Sequence, residues 1–508
     1  VRILVFHGYL LGGTGSNVYN ARLAAALVAL GHEVHLLCQD RHPDEQPFVD
    51  AVGDWDTGAL RVRALREEVR CTTYRPNIGS LLPVYVADRY EGMQARTFAE
   101  CSDAEVASYV DANVATVREV VARARPDVAL ANHLVMGPVI LARALAGDVP
   151  YAVKVHGSAL EYTVKPHPER FLELAREGLA GARTVLVGSH HTAASLWAAL
   201  GDPALPARTR LGPPGVDVAR FAPRDPERAA AGLRELTARL RAAASTRTGQ
   251  ETAASAFARD ELAAAEELER LEPARERLVA FVGKLIVNKG VDLLLAAWPL
   301  VLRSVPDAKL VVVGFGADRA LLERLLAALA AGDLDAAQSL ALPHLLAFLR
   351  GLSGDARADY LDAARALPDR VLLTGRLDHD ELADLLPACA AMVVPSTFPE
   401  AFGMVAAEAA ACGALPISAA HSGLAEVSGA LARAVPGEVG PWLSFPVDDR
   451  SVGAIAERVN AWLTVDPALR EQTRAGLVAT VRERWSWEGV ARGVIAAARG
   501  ELDALATP

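Results

Sequence analysis

The run Leu278-Val-Ala-Phe-Val282-Gly-Lys-Leu-Ile-Val-Asn-Lys-Gly290 opens on apolar residues and ends in a loop that carries Lys284 and Lys289 between glycines. A helical pattern follows from Val291 to Leu302, and a second apolar run, Lys309 to Val313, closes the unit. Strand, glycine loop, helix and strand in that order make a parallel crossover, and such sheets are covered by helices on both faces. The unit recurs upstream. Ile3-Leu-Val-Phe6 precedes a helix over Asn17–Leu30 and the strand Val34-His-Leu-Leu37. Val128–Ala131 precedes a helix over Pro138–Leu145, Tyr151–Val155 precedes Glu169–Leu179, and Thr184–Val187 precedes His190–Leu200. Downstream, the strands continue with Val371–Leu373, Met392–Val394 and Leu415–Ile417.

Between the two series lies Gly212-Pro-Pro-Gly215, which cannot continue either element and marks a hinge near 203–215. The expectation is an α/β protein of two doubly wound, Rossmann-like parallel-sheet domains. Residues 1–207 form the first and residues 208–484 the second. The second is interrupted by helical insertions at about 225–276 and 319–368. The first insertion reads as two helices around a polar loop, Ser245–Thr252, and as either a solvated hairpin or a lid or self-association surface. Trp485-Ser-Trp487 leads into a last helix, so residues 485–508 are expected to pack back on the first domain.

The chain has 508 residues, enough for two large domains, with 52% hydrophobic and 22% charged residues, a globular composition. A net charge of -10 disfavours nucleic acid as a partner. Cys38, Cys71, Cys101, Cys389 and Cys412 are scattered without a CxxC spacing, against a disulfide framework or structural zinc. The strand-like Val1–Phe6 does not read as a leader. The uncharged stretch between Glu408 and Glu426 holds glycines, a proline and a histidine, which suits no membrane span. These features together predict a cytoplasmic protein without a transmembrane segment.

Three loops carry the chemistry. Gly12-Gly-Thr-Gly15, between the first strand and the first helix, offers backbone N–H groups to a phosphate or carboxylate, or serves only as a tight turn. The dinucleotide spacing GxGxxG fails at Val18, and no GxxxxGK[ST] loop occurs, so dehydrogenase and P-loop readings lose ground. Lys284 and Lys289 sit at the C-terminal edge of a sheet, where open α/β folds bind ligands and ammonium groups can neutralise a diphosphate. Pro395-Ser-Thr-Phe-Pro-Glu400-Ala-Phe-Gly-Met-Val-Ala-Ala-Glu408 follows the strand Met392–Val394. A helix starting near Phe402 would give its N-terminus to a phosphate and place Glu408 within reach of a ribose diol. Glu408 lies in an apolar run, where a carboxylate is costly without partners.

Glu400, Glu408 and the following Ser422-Gly-Leu-Ala-Glu426 resemble the retaining glycosyltransferases of family four, the group 1 type with the GT-B fold. The likeness extends through Gly12-Gly13, Pro126-Asp-Val128 with His133, Val155-His156-Gly157, Val187-Gly-Ser189, Gly215-Val-Asp217 with Phe221, Lys284 with Lys289, and Gly314-Phe-Gly316. It implies two domains facing a central cleft and a nucleotide-sugar donor, UDP-linked by preference or GDP-linked. It also implies a hydroxyl acceptor, retention of configuration, and neither metal nor other cofactor. Lys289 would meet the diphosphate, with Lys284 where the family usually has Arg. Glu408 would hold the ribose and Glu400 the sugar. Backbone groups of Phe402, Gly403 and Met404 would face sugar and phosphate, and Arg376 and Leu377 the base. Gly13 and Gly15 would close over the diphosphate, and His156 would approach the transferred sugar. His156, Lys289 and Glu400 are thus the implied catalytic residues.

The acceptor should be read by the first domain, through Tyr74-Arg-Pro-Asn77 to Tyr85 and Asp88–Glu91, with Arg75 and Tyr85 as candidates. The two insertions, the Lys at 284 and Pro214, where Asn is common, depart from the family pattern. Asp378-His-Asp380 looks like a metal-binding DxD, but its place before Glu381–Leu386 suits a helix cap better. A sugar-nucleotide epimerase of like architecture and a non-catalytic nucleotide-sugar-binding protein remain the competing readings.

Overall fold

The computed structural model describes residues 1–56, 58–86, 90, 92–246 and 259–508. Two compact units emerge, Val1–Gly215 with Trp485–Pro508, and Val216–Arg484.

The first unit is built on a nine-stranded sheet. Its order is Thr209–Leu211, Thr184–Val187, Tyr151–Lys154, Val128–Asn132, Arg2–Phe6, Glu33–Leu37, Cys71–Arg75, Ala51–Asp56 and Ala59–Ala64. The pairings are parallel, in registers such as Ile3↔Val34 and Ile3↔Val128, except for the terminal antiparallel hairpin Ala51–Asp56 with Ala59–Ala64. Thr209 pairs with Val185, so this strand carries the unit past the boundary expected at 207. Leu81–Val84 and Gln94–Thr97 make a separate parallel pair.

Both faces of the sheet are covered. On one, the helix Gly15–Ala29 sets Tyr19, Leu23 and Leu27 against Ile3, Val5 and Val34. The helix Trp487–Arg499 adds Ala491, Val494 and Ile495 to that core. Its start is capped by the Ser486 hydroxyl, which accepts from the Gly489 N–H, and its end by Gly500 at φ 80°. On the other face, Asp103–Ala124 buries Val110, Val117 and Val120. A capping box starts this helix: Ser102 Oγ accepts from Glu105 N–H, and the Glu105 carboxylate accepts from Ser102 N–H at 2.8 Å.

The second unit holds a six-stranded, wholly parallel sheet. From Arg277–Val282 it grows one way through Ala308–Val313 to Val371–Gly375. It grows the other way through Ala391–Val394 and Leu415–Ala419 to Ser444–Phe445. The direction of winding therefore switches between Arg277–Val282 and Ala391–Val394, which is where open α/β sheets bind ligands. The first insertion forms the helices Pro226–Thr246 and Glu261–Glu269, which bury Leu233, Leu236 and Leu240 along with Ala264, Ala265 and Leu268. Most of the polar loop read between them lies outside the described residues. The second insertion forms Arg319–Ala331, Leu334–Leu340, Pro343–Gly351 and Gly354–Ala364. Tyr360 is wholly buried there and donates its hydroxyl to the Ala296 carbonyl at 2.9 Å. Among the described residues no helix is long and apolar enough to cross a membrane.

Candidate active site

The loops leaving the two strands at the switch point are drawn together by backbone. Gly290 adopts φ 62°, and a Cβ there would run into the Pro395 carbonyl oxygen. Thr397 N–H donates to the Asn288 carbonyl at 2.9 Å. Glycine at 290 thus permits a close approach that any side chain would prevent, and its consequence is the meeting of Lys289 with Glu400. The ammonium donates to Glu400 Oε1 in an ion pair, with the two side chains 28% and 26% exposed.

Glu400 is fixed from several sides. Ser396 Oγ donates to the same Oε1 at 2.6 Å, and Glu400 N–H donates to Ser422 Oγ at 2.9 Å. His421 joins Ser422 Oγ through Nδ1 at 3.0 Å and Ser396 O through Nε2 at 2.8 Å. Burial pushes the Glu400 carboxyl upward in pKa, but Lys289, Ser396 and His421 outweigh it and hold the group below the usual carboxylate range. Glu400 is therefore an anion. The helix Met404–Ala411 begins just beyond, after Gly403 at φ 121°, two residues later than the start read near Phe402.

The neighbouring loops are tied to this one. Leu285 N–H donates to Phe315 O at 2.7 Å, Gly314 N–H to Gly375 O at 2.9 Å, and Val287 N–H to Asp318 Oδ2 at 2.6 Å. Two cations approach the Phe315 ring, Lys284 Nζ at 5.8 Å and the Arg376 guanidinium at 5.9 Å from its centroid. Arg376 also donates to Asp378 Oδ1 at 2.8 Å, while Leu377 is buried. Asp378 caps the helix His379–Leu385 in a capping box with Glu381, the N-cap role expected from its position. The next residue, His379, reaches Glu408 Oε1 through Nε2 at 2.6 Å. Glu408, only 2% exposed, thus has the partner its apolar surroundings demand.

In the first unit the expected residues lie along the C-terminal sheet edge. Gly13 adopts φ 91° and Gly15 starts the first helix, with no heavy atom of the described residues within 4 Å of where its Cβ would stand. Asn17 Nδ2 closes the glycine loop by donating to Gly12 O at 2.6 Å. His156 Nε2 donates to Asn132 Oδ1 at 2.7 Å and its ring meets Tyr19 edge-on at 4.9 Å. Burial, with His133, Lys154 and His7 nearby, holds its pKa well below the usual value, so the imidazole is neutral. The His133 ring lies 5.0 Å from that of His156, tilted by 53°, and neither of its ring nitrogens has a hydrogen-bond partner among the described residues.

The two acceptor candidates fare differently. Arg75 is half exposed and paired with Asp54 at 3.0 Å. Tyr85 is buried, donates its hydroxyl to Val135 O, and packs 4.6 Å from His133, so it belongs to the core of the aromatic cluster and not to an outward-facing loop. Of Asp88–Glu91, only Tyr90 is among the described residues. Sequence reasoning passed over His379, Ser396, His421 and Arg259 as participants. The first three lie in or beside quoted motifs, so proximity was the available signal. Arg259 sits inside an insertion and had none.

A parallel sheet whose switch-point loops present a lysine–glutamate pair, a helix N-terminus and a buried carboxylate has the form of an open α/β ligand site. Residues 265–476 match the family described as Glycosyl transferases group 1, and residues 14–215 the Glycosyl transferase 4-like domain. The chain belongs to this family of glycosyltransferases. It is 32% identical over 246 residues to a D-inositol 3-phosphate glycosyltransferase of Segniliparus rotundus, a match covering 48% of this chain and 44% of that protein. The aligned part is thus under half the length of that relative. Sucrose-phosphate synthase from Thermosynechococcus elongatus shares the fold over 99% of both chains, at 20% identity and a TM-score of 0.59. Anabaena HepE, solved with UDP and glucose, aligns over 97% of this chain and 98% of its own, at 17% identity and a TM-score of 0.55.

Proposed function

We propose that the protein transfers a sugar from a nucleoside-diphosphate sugar to a hydroxyl acceptor, with retention and without a metal. UDP is the favoured nucleotide, in keeping with HepE, and GDP the alternative. One observation carries the reading: the Lys289–Glu400 ion pair at the switch point. In the free protein the Glu400 carboxylate takes the place on the ammonium that a diphosphate would occupy. Donor binding exchanges one anion for another and frees Glu400 for hydroxyls of the sugar.

As the glycosidic bond breaks, negative charge grows on the leaving phosphate and positive charge on the sugar ring. Lys289, Lys284 and the N-terminus of Met404–Ala411 stabilise the former from fixed positions. The leaving phosphate oxygen accepts the proton of the incoming hydroxyl on the same face, so no protein nucleophile is required. Glu408 holds the ribose, and the loop of Arg376 and Leu377 faces the base. On the acceptor side, His156 is a neutral polar group for a sugar hydroxyl. Incubation with labelled UDP- and GDP-sugars tests the reading. Binding and slow release of the free sugar by the wild type, both lost in Lys289→Ala, are expected. A wild type that binds no nucleoside-diphosphate sugar overturns it.

A further inference from the structure

Glu408 is assigned a ligand above, but its imidazole partner is not. His379 Nε2 lies 2.6 Å from Glu408 Oε1. An ionised carboxylate only accepts, so Nε2 carries the proton and donates. The imidazole itself is held by what surrounds it. Its ring packs against Phe221 at 5.0 Å and 51°. Its backbone is the first residue of a helix capped by Asp378, whose N–H donates to Glu381 Oε2 at 2.6 Å. Both of those acids are gripped from the first insertion by Arg259, which meets Asp378 Oδ2 at 2.9 Å, Glu381 Oε2 at 2.8 Å and Glu261 Oε1 at 3.0 Å. Arg259 is itself largely buried, at 14% side-chain exposure, so this grip is not a loose surface contact.

We propose that His379 is a positioning residue for ribose recognition, and that the first insertion, through Arg259, holds it in place. This rests on the donor-site reading given above. A carboxylate has two oxygens and about four acceptor directions. His379 takes one on Oε1 and so fixes the plane of the group, leaving Oε2 and the second direction on Oε1 for the two ribose hydroxyls. A carboxylate free to rotate would lose that two-hydroxyl geometry while keeping its charge. The same short segment carries Arg376, joined to Asp378 Oδ1 at 2.8 Å, so base-side and ribose-side contacts share one support.

The test compares UDP with 2′-deoxy-UDP, and GDP with 2′-deoxy-GDP, by titration calorimetry on the full chain. The wild type is expected to favour the ribonucleotide by about tenfold, the value of one good hydrogen bond to a charged group. His379→Ala is expected to weaken UDP by a similar factor and the deoxy form less than twofold, so the preference collapses. His379→Gln, which keeps a donor of similar reach, restores part of it. In a Glu408→Ala background, His379→Ala adds no further change, since both act through one carboxylate. In transfer assays the donor KM of His379→Ala rises while kcat holds. Equal weakening of both nucleotides, or an intact ribose preference in His379→Ala, overturns this proposal and leaves the donor site standing. A wild type that binds neither UDP nor GDP removes the donor site itself.

Discussion

The sheet edge of the second unit and that of the first carry opposite kinds of polarity. In the second, charges come in pairs, Lys289 with Glu400 and Arg376 with Asp378, and the buried Glu408 carboxylate is met by the His379 ring. In the first, the clustered imidazoles are neutral. The buried His7 and His133 and the partly buried His156 form a run with ring separations of 5.9 and 5.0 Å, flanked by Tyr9, Tyr19 and Tyr85. Burial lowers the His7 pKa to about 4 and pushes His133 and His156 well below their usual value. A site that must hold a dianion has to keep its charges and therefore pairs them. A site that meets hydroxyls gains more from neutral donors and acceptors that cost less to desolvate. Under the proposed function the contrast divides the labour: phosphate and ribose would fall to one unit, uncharged polar groups to the other.

The largest effect should come from the charged side. Lys289→Ala is expected to reduce transfer by roughly two to three orders of magnitude, the usual loss when one preorganised group facing developing charge is removed. It should weaken UDP binding in the same direction, read by calorimetry. Unchanged donor affinity would break the comparison at its root.

His156→Ala should be milder, with transfer falling roughly five- to hundredfold, equivalent to about 1–3 kcal/mol for a lost hydrogen bond in a dry site, and with UDP affinity nearly unchanged. Because burial keeps this imidazole neutral, no inflection from it should appear in the rate between about pH 6 and 8. An inflection there that vanishes in His156→Ala would show that the group titrates and that the first unit is not the uncharged one.

Much of this was legible in the residues, for identifiable reasons. The strands at Leu278–Val282 and Met392–Val394 are short apolar runs bounded by glycine or proline, and their period survives any context. The loops after them are recognisable because Gly290 has to be glycine where Pro395 O approaches. What escaped was set by distance in sequence. Arg259 meets Glu381 122 residues further along the chain, and nothing in an Ala/Arg/Glu-rich insertion distinguishes that arginine from its neighbours. Tyr85 lies within a core of aromatic rings, a tertiary packing that local pattern does not encode. The first unit extended to Gly215 because a three-residue strand, Thr209–Leu211, is too short to stand out beside the Pro/Gly stretch that follows it.

Lys154 sharpens the contrast from within the first unit. Its ammonium is buried, donates to Gly212 O at 2.6 Å and lies 5.6 Å from the Tyr19 ring, and burial lowers its pKa to about 7. The folded pKa is below the unfolded one, so between about pH 7 and 10 the unfolded chain binds more protons and stability rises with pH. The clean window lies below about pH 8.5, before thiols of the unfolded chain ionise. There the wild type should gain on the order of 1 kcal/mol per pH unit relative to Lys154→Met, measured as the difference of two denaturant titrations. Equal pH slopes in both proteins would mean that Lys154 keeps its charge and that the first unit also stores a buried cation.

The smallest effect concerns Tyr19, which touches both Lys154 and His156 yet whose wholly buried hydroxyl has no hydrogen-bond partner among the described residues. Burying an unpaired hydroxyl costs stability, so removing it should be neutral or favourable, unlike most core changes. Tyr19→Phe is expected to leave unfolding free energy within about 1 kcal/mol of the wild type, on the stabilising side, since the ring and its packing are kept. If the hydroxyl is left open for a ligand, the same variant should lose transfer activity while gaining stability. A variant that is less stable and equally active would mean the hydroxyl is satisfied in solution, and the uncharged side of the comparison would then be structural packing and not a recognition surface.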